Sequence, residues 1–397
     1  MNITTQLHSL TDIGEDIHII AITGGPCAGK TTGLVKLEQM LKDRGYKVLV
    51  SPESATKLII GGFLPWEAGR VLFQKHMIVD TLVQEEGFIK AAMALRDLGH
   101  KVVILCDRGI VDGQAYTASK EEFEGMVTEL GLTLNSVCNN RYHAVIHLRT
   151  AALGAEEFYT LDNNSARKET PQEARDFDQK ILEAWQRHHH PRVVDNATGF
   201  DEKIARLLAE VCSILGDPLP LEIEQKFLIE PLDFGAIPAH VTTSKIVQDY
   251  LISPKPDEEH RVRARTDDWG TSYFYTIKRQ KDLGQKEHGK GINVRLETEK
   301  VIDKKEYFSL LNFKDPSFQT IKKQRSCFFF ETQFVEVDNF EAPDSAAGLV
   351  VMEIEQTAPS TGLSEQKELV LPPFVKVVKT VTGEEDYSNR AIAKVCE

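Results

Sequence analysis

The stretch Ile17-His-Ile-Ile-Ala-Ile-Thr-Gly24-Gly25-Pro26-Cys27-Ala28-Gly29-Lys30-Thr31-Thr32 constrains this chain more than any other part of it. A short apolar run, Ile17 to Ile22, breaks at a glycine-rich turn. It gives way to Lys30–Lys42, where Leu34, Leu37 and Leu41 recur at helical spacing. Strand, loop and helix in that order place a Gly-x4-Gly-Lys-Thr signature at the junction. Gly24 and Gly29 let backbone N–H groups curl around phosphate oxygens, and the start of the helix adds its partial positive charge. The Lys30 ammonium reaches outer phosphates, and the Thr31 hydroxyl suits Mg2+. Gly24 to Thr32 are therefore expected to bind a nucleoside triphosphate, with ATP and GTP both open.

A chain of 397 residues has room for two domains or more. Its formal net charge of −13 disfavours nonspecific binding to DNA, so a phosphate site must be a local positive island. The six cysteines are scattered without metal-ligand spacing and read as free thiols of a reducing, cytoplasmic compartment. Met1 to Asp16 lacks the apolar core of a signal peptide, and no apolar run is long enough to span a membrane.

After the first helix, Tyr46–Val50 reads as a strand running into Pro52-Glu53. A carboxylate at that end of a strand faces the ligand crevice, where Glu53 could orient or deprotonate a phosphoryl acceptor. The alternative is a first-turn partner of the next helix. Trp66–Leu98 reads as one or two helices, with Arg70 and Gln74 toward substrate. Lys101–Asp107 is a buried strand ending in the carboxylate expected to hold Mg2+. Tyr142–Leu148 and Arg192–Asn196 complete the strands, and Asp201–Leu215 is an amphipathic helix. Ala155–His190, rich in charge, is expected to be a mobile lid, with Arg167 and Arg175 stabilising transferring charge. Adjacent residues His188 to His190 point apart on a helix, so no metal cluster is expected there.

Asp107-Arg108-Gly109-Ile-Val-Asp112-Gly-Gln-Ala-Tyr116 resembles the stretch in small nucleotide and nucleoside kinases where the arginine and the later polar residue line the acceptor site. With Gly24–Thr32, Pro52-Glu53, Gly154-Ala155-Glu156 and Trp185 before its histidines, residues 17 to 215 resemble the AAA-type P-loop domain. That domain is shared by the NadR ribosylnicotinamide kinase and the TRPL translocation defect protein family. The resemblance implies a three-layer α/β/α parallel sheet after an N-terminal extension, 1–16, and catalytic roles for Glu53, Asp107 and Arg108.

At Gly216-Asp-Pro-Leu-Pro220, read as a linker, the pattern changes to period-two strands. Glu222, Glu224 and Lys226 share one face of a strand, with Ile223, Phe227 and Ile229 on the other. The pattern repeats with Arg261, Arg263 and Arg265; with Lys278; with Arg295, Glu297 and Glu299; with Lys323 and Arg325; with Glu336 and Asp338; and with Glu353 and Glu355. Closed into a barrel, such strands place their charges inside, where they cannot remain unpaired. Acids on some strands and bases on others suit a polyanion with a divalent metal.

Glu222-x-Glu224-x-Lys226 and the charged pairs after it, over 221–397, resemble the CYTH or triphosphate tunnel superfamily. The resemblance implies an eight-stranded antiparallel barrel that hydrolyses tripolyphosphate, thiamine triphosphate or nucleoside triphosphates with Mg2+ or Mn2+. It makes Glu222, Glu224, Asp338, Glu353 and Glu355 metal-side residues. Lys226, Arg263, Lys278, Arg295, Lys323 and Arg325 become phosphate-side residues, with Arg261 and Arg265 both candidates beside Arg263. Tyr387-Ser388-Asn389 resembles that family's closing helix. The two-part layout is that of the TRPL translocation defect family, associated with GTP and phosphoinositide binding in membrane-protein trafficking, at vesicle surfaces. Two expectations follow: a metal-dependent triphosphatase joined to a kinase-like domain, or a nucleotide-controlled binder of a phosphorylated head group.

Overall fold

A computed structural model describes residues 7–159, 170–217, 221–279, 293–355 and 369–395; the side chains of 221–223, 236, 293–296 and 355 lie outside that description. Contacts divide the chain into two units, Met1–Val211 and Cys212–Glu397.

Strands β1 (Ile17–Gly24), β2 (Lys47–Ser51), β3 (Val102–Asp107), β4 (Ala144–Leu148) and β5 (Pro191–Val194) form a parallel sheet in the order β2-β3-β1-β4-β5. Ile19–Ile22 and Val102–Cys106 are at most 2 % exposed, as a sheet covered on both faces requires. The helices of this unit are α1 (Leu10–Ile13), α2 (Lys30–Asp43), α3 (Ser54–Ile60), α4 (Pro65–Ala68), α5 (Arg70–Asp97), α6 (Lys120–Glu129), α7 (Leu134–Val137), α8 (Pro171–Trp185) and α9 (Phe200–Leu215). The break between α4 and α5 falls at Gly69, with φ +81°. The chain leaves β1 for β2 on one side and, after β3, crosses to β4 on the other. The loops at the carboxyl ends of these strands therefore diverge around a crevice.

The segment expected as a lid contains a packed helix. Residues 160–169, with Arg167, lie outside the described residues. The helix after them, α8, buries Ala174, Asp178, Ile181, Leu182 and Trp185, a continuous helical face within a charge-rich sequence. That part is a packed wall of the crevice.

The rear unit is antiparallel: β6 (Leu221–Ile229), β7 (Thr242–Leu251), β8 (Glu258–Asp267), β9 (Gly270–Arg279), β10 (Asn293–Ile302), β11 (Ile321–Phe330), β12 (Gln333–Ala342), β13 (Val350–Glu355) and β14 (Val377–Thr380), with helices α10 (Lys304–Leu310) and α11 (Asn389–Ala393). Pairing runs β10-β9-β8-β7-β11-β12-β13-β6, and β6 also pairs with β10, so these strands close into a ring; β14 lies outside it on β6. Residues directly opposite in an antiparallel pair share a face, so the register assigns each side chain to one side.

One side carries Phe227, Ile229, Phe328, Val335, Val337, Met352 and Ile354, an apolar cluster packed with Phe374 and Val375. The other carries Lys226, Arg261, Arg263, Arg265, Lys278, Lys323, Arg325, Glu336, Asp338 and Glu353. The ring is thus inverted: its apolar face is covered from outside, and its charged face turns to the lumen. Tyr250, Ile321, Phe340 and Val351 share the lumen face and pack with Ile392 and Ala393 of α11, stoppering it with apolar contacts.

Candidate functional site

In the front unit, the loop after β1 turns through left-handed residues at Cys27 (φ 56°) and Gly29 (φ 84°). A Cβ on Gly24 would lie 2.1 Å from the Leu148 carbonyl oxygen, which leaves no room for any other residue there. Lys30 Nζ folds onto the loop and donates to Gly24 O at 3.0 Å and Gly25 O at 3.2 Å. Burial, then repulsion from Arg108, lowers its ammonium to about 8.

Asp107 ends β3, and its Oδ1 is buried without a hydrogen-bond partner among the described residues. Burial raises this carboxyl against the pull of Lys30. An orphaned carboxylate oxygen in the field of the phosphate-loop lysine fits a divalent cation, and Thr31, at the start of α2, is exposed.

Arg108, itself left-handed at φ 72°, ties the crevice together. Its Nε donates to Glu53 Oε1 at 2.6 Å, and its Nη1 to Asp112 Oδ2 at 3.0 Å and Gly24 O at 3.2 Å. Burial alone would raise the Glu53 carboxyl, but Arg108 and the Thr56 hydroxyl prevail and hold it at about 2. A carboxylate held that low is a weak base, and its visible work is to orient Arg108. Asp112 also accepts from the Thr23 hydroxyl at 2.7 Å and from Trp185 Nε1 at 2.5 Å. Arg70 turns instead to Glu122, at 2.6 Å. Arg175 donates to Ala152 O and Gln172 Oε1, each at 2.9 Å.

Asp178 was not singled out by sequence. From α8 it accepts the Gly25 N–H at 2.9 Å and the Thr150 N–H at 3.0 Å, and lies 3.1 Å from His147 Nε2. Its burial is outweighed by His147 and Arg149, which hold the carboxyl at about 2. The available signal was an acid on the apolar face of an amphipathic helix, where it needs fixed partners.

In the rear unit the lumen charges meet as ion pairs. Lys226 Nζ lies 2.6 Å from Glu353 and 3.2 Å from Glu224. Lys323 Nζ lies 2.5 Å from Asp338, and Arg325 engages Asp338, Glu336 and Glu353. Arg261 and Lys278 both meet Glu297, at 3.2 and 2.7 Å, and Arg263 meets Glu299 at 2.8 Å. Burial would raise Glu353, but Lys226 and Arg325 hold it well below the usual carboxylate range. Arg265 is 7 % exposed, and its Nε has no hydrogen-bond partner among the described residues. The side chains of Glu222, Arg295 and Glu355 lie outside the described residues, although their backbones pair in the ring.

Two carboxylates, Glu224 and Glu353, converge on one cation, the Lys226 ammonium, which is chemistry a divalent metal can share. No group of three or more His, Cys, Asp or Glu side chains suited to a metal occurs among the described residues. One expectation needs correction: the lumen face is not charged throughout. The register adds Ser244 and Gln248 from β7 and Ser272, Phe274 and Thr276 from β9, so both strands contribute neutral side chains. The five described cysteines are free, and no helix among the described residues is long and apolar enough to cross a membrane.

No curated protein is significantly similar to the chain. Among solved structures, the inorganic triphosphatase NE1496 shares 24 % identity over 44 % of this chain and 95 % of that one, with a TM-score of 0.29. The PH1819 protein from Pyrococcus horikoshii OT3 shares 21 % over 37 % of this chain and 80 % of that one, with a TM-score of 0.26. Residues 19–203 match the family described as AAA domain, and the loop, Lys30 and Asp107 lie within that match: the front unit is similar to AAA-type P-loop domains and carries their nucleotide-binding elements.

Proposed function

We propose that the front unit binds Mg2+ with ATP or GTP in a kinase-like site, and that the rear ring binds and hydrolyses a triphosphate or polyphosphate. The observation that supports the second part is the inverted ring: six lumen bases, Lys226, Arg261, Arg263, Lys278, Lys323 and Arg325, are each held by lumen acids. Isolated ions are costly to bury, and a lumen built this way is a standing site for a chain of phosphates that takes over the bases. Released from Lys226, Glu224 and Glu353 would hold the divalent metal. When bound, that metal supplies charge neutralisation and an activated water.

In the front unit the loop amides and Lys30 hold the outer phosphates, Thr31 and Asp107 the metal. Arg108, fixed by Glu53 and Asp112, faces the acceptor side of the crevice. The combination is the layout of the TRPL translocation defect family, and we place the chain there on that ground.

Phosphate release from tripolyphosphate, ATP and GTP with Mg2+ or Mn2+ tests the reading, for wild type, Lys30→Ala and Glu222→Ala/Glu224→Ala. Tripolyphosphate hydrolysis is expected to survive Lys30→Ala and to vanish in the double variant. Wild type releasing no phosphate from any of the three would overturn the hydrolase assignment.

A further inference from the structure

Three successive carbonyls of the phosphate loop are gripped from behind. The Thr150 hydroxyl donates to Pro26 O at 2.5 Å, the Ala151 N–H to Cys27 O at 3.2 Å, and Lys203 Nζ to Ala28 O at 3.1 Å. Thr150 and Lys203 are 0 % and 3 % exposed. Lys203, on α9, spends its other protons on Arg149 O at 2.8 Å and Asn196 Oδ1 at 2.6 Å. Asn196 in turn donates to Thr150 O and Leu153 O, each at 2.7 Å. A buried ammonium bonded to three oxygens of three segments is a joint, and one of those segments is the loop.

Peptide geometry gives this grip a consequence. In a trans peptide the N–H points away from the C=O to which it is joined, and the cis bond among the described residues is at Ala342–Pro343, not in this loop. Fixing the Pro26, Cys27 and Ala28 carbonyls on one side therefore turns the Cys27, Ala28 and Gly29 N–H groups to the other. The Ala28 and Gly29 N–H groups find no acceptor among the described residues. Ala28 is buried, and a buried N–H needs an acceptor from a ligand or a water; successive loop amides turned to one side form such an anion-binding concavity.

We propose that Lys203 and Thr150 are positioning residues of the nucleotide site: neither touches phosphate, and together they aim the loop amides at it. The proposal rests on the front unit's reading as a nucleotide cradle. It adds that the cradle's donors are set by a lysine on α9 and a threonine after β4, outside the glycine-rich signature.

Calorimetric titration of Mg2+-ATP into the full chain tests it, with the binding lost in Lys30→Ala defining the front site. Thr150→Val keeps shape and removes the donor; Thr150→Ser keeps the donor; Lys203→Met removes the ammonium. Thr150→Val and Lys203→Met are expected to weaken ATP about tenfold or more, and Thr150→Ser to stay within about twofold of wild type. Should Lys203→Met fail to fold, the threonine pair decides. Equal affinity in Thr150→Val and wild type overturns the proposal and leaves the cradle standing. Equal weakening by Thr150→Ser and Thr150→Val also overturns it, since that marks packing and not the donor. If wild type takes Mg2+-GTP and not Mg2+-ATP, the same variants are read with GTP; wild type that takes neither overturns cradle and proposal together.

Discussion

Arg325 and Asp338 face each other on neighbouring strands of the ring as a two-point pair, Nε to Oδ1 at 2.7 Å and Nη2 to Oδ2 at 2.6 Å. Lys323 reaches the same carboxylate from the same strand as Arg325. Two buried cations thus share one buried anion. Burial would raise that carboxyl, but Arg325 and Lys323 hold it below its ordinary range. The same burial lowers Lys323, and Glu336 and Glu353 supply Arg325 with the further negative charge that two cations on one carboxylate require.

Removing the anion should therefore destabilise the ring and make it hungry for another. Asp338→Asn is expected to cost about 3–5 kcal/mol, the range for breaking a buried pair. Thermal unfolding with and without tripolyphosphate checks this: the variant should gain more from the polyanion than wild type does. An equal or smaller gain would mean that the bases do not face the ligand.

Asp107 is expected to behave in the opposite way. Its orphaned oxygen and raised carboxyl mean that the ionised form is destabilising in the protein without ligand. Asp107→Asn should leave stability unchanged or raise it by ~1 kcal/mol. Affinity for ATP should lose its dependence on Mg2+. Titrations with and without Mg2+, beside melting curves, separate these outcomes.

Glu53 and Asp178 set the acid limit of the front unit. Both are held at about 2 in the folded protein, below their ordinary 4.5 and 3.8. A depressed carboxyl contributes stability above its unfolded value and loses it as pH falls toward the folded one. The front unit should therefore weaken between about pH 4.5 and pH 2, and Glu53→Gln should flatten that slope while lowering stability at pH 7. Denaturant titrations followed by Trp185 fluorescence, with Trp66 and Trp269 replaced by Phe, read this.

The front-unit chemistry was legible because it is local in sequence: the glycine-rich turn, Lys30 and the carboxylate closing β3 all fall within short motifs. Asp178, Thr150 and Lys203 were not, because their meaning lies in contacts with residues 25 to 28 more than a hundred positions away. In the rear unit, period-two alternation correctly placed Lys226, Arg263, Asp338 and Glu353 on one face. Alternation says nothing of which acid meets which base, and it passed over β7, whose Ser244 and Gln248 are lumen residues without charge. Arg175 was picked for its charge in a polar segment, and its partners are a nearby carbonyl and Gln172.

Gly29 and Gly109 are glycines for different reasons, and a rescue test tells them apart. At Gly29 the backbone is left-handed, φ +84°, and a Cβ would lie 2.7 Å from the Phe200 ring. Phe200 is 43 % exposed and can swing away, so the lasting cost of Gly29→Ala is the backbone angle, ~1 kcal/mol or more. At Gly109 φ is −119°, open to any residue, but a Cβ would lie 2.7 Å from Trp185, which is 1 % exposed. That ring is packed and bonded to Asp112, so Gly109→Ala should cost ~1–3 kcal/mol through crowding and disturb Arg108 beside it. Phe200→Ala should then recover little of the Gly29→Ala loss. Trp185→Phe should recover part of the Gly109→Ala loss, although it forfeits the indole donor. Double-mutant cycles on unfolding free energy measure both, with a coupling of ~0.5–3 kcal/mol expected at the second pair and near zero at the first. Strong coupling between Gly29 and Phe200 would show instead that space, and not backbone angle, selects glycine in the phosphate loop.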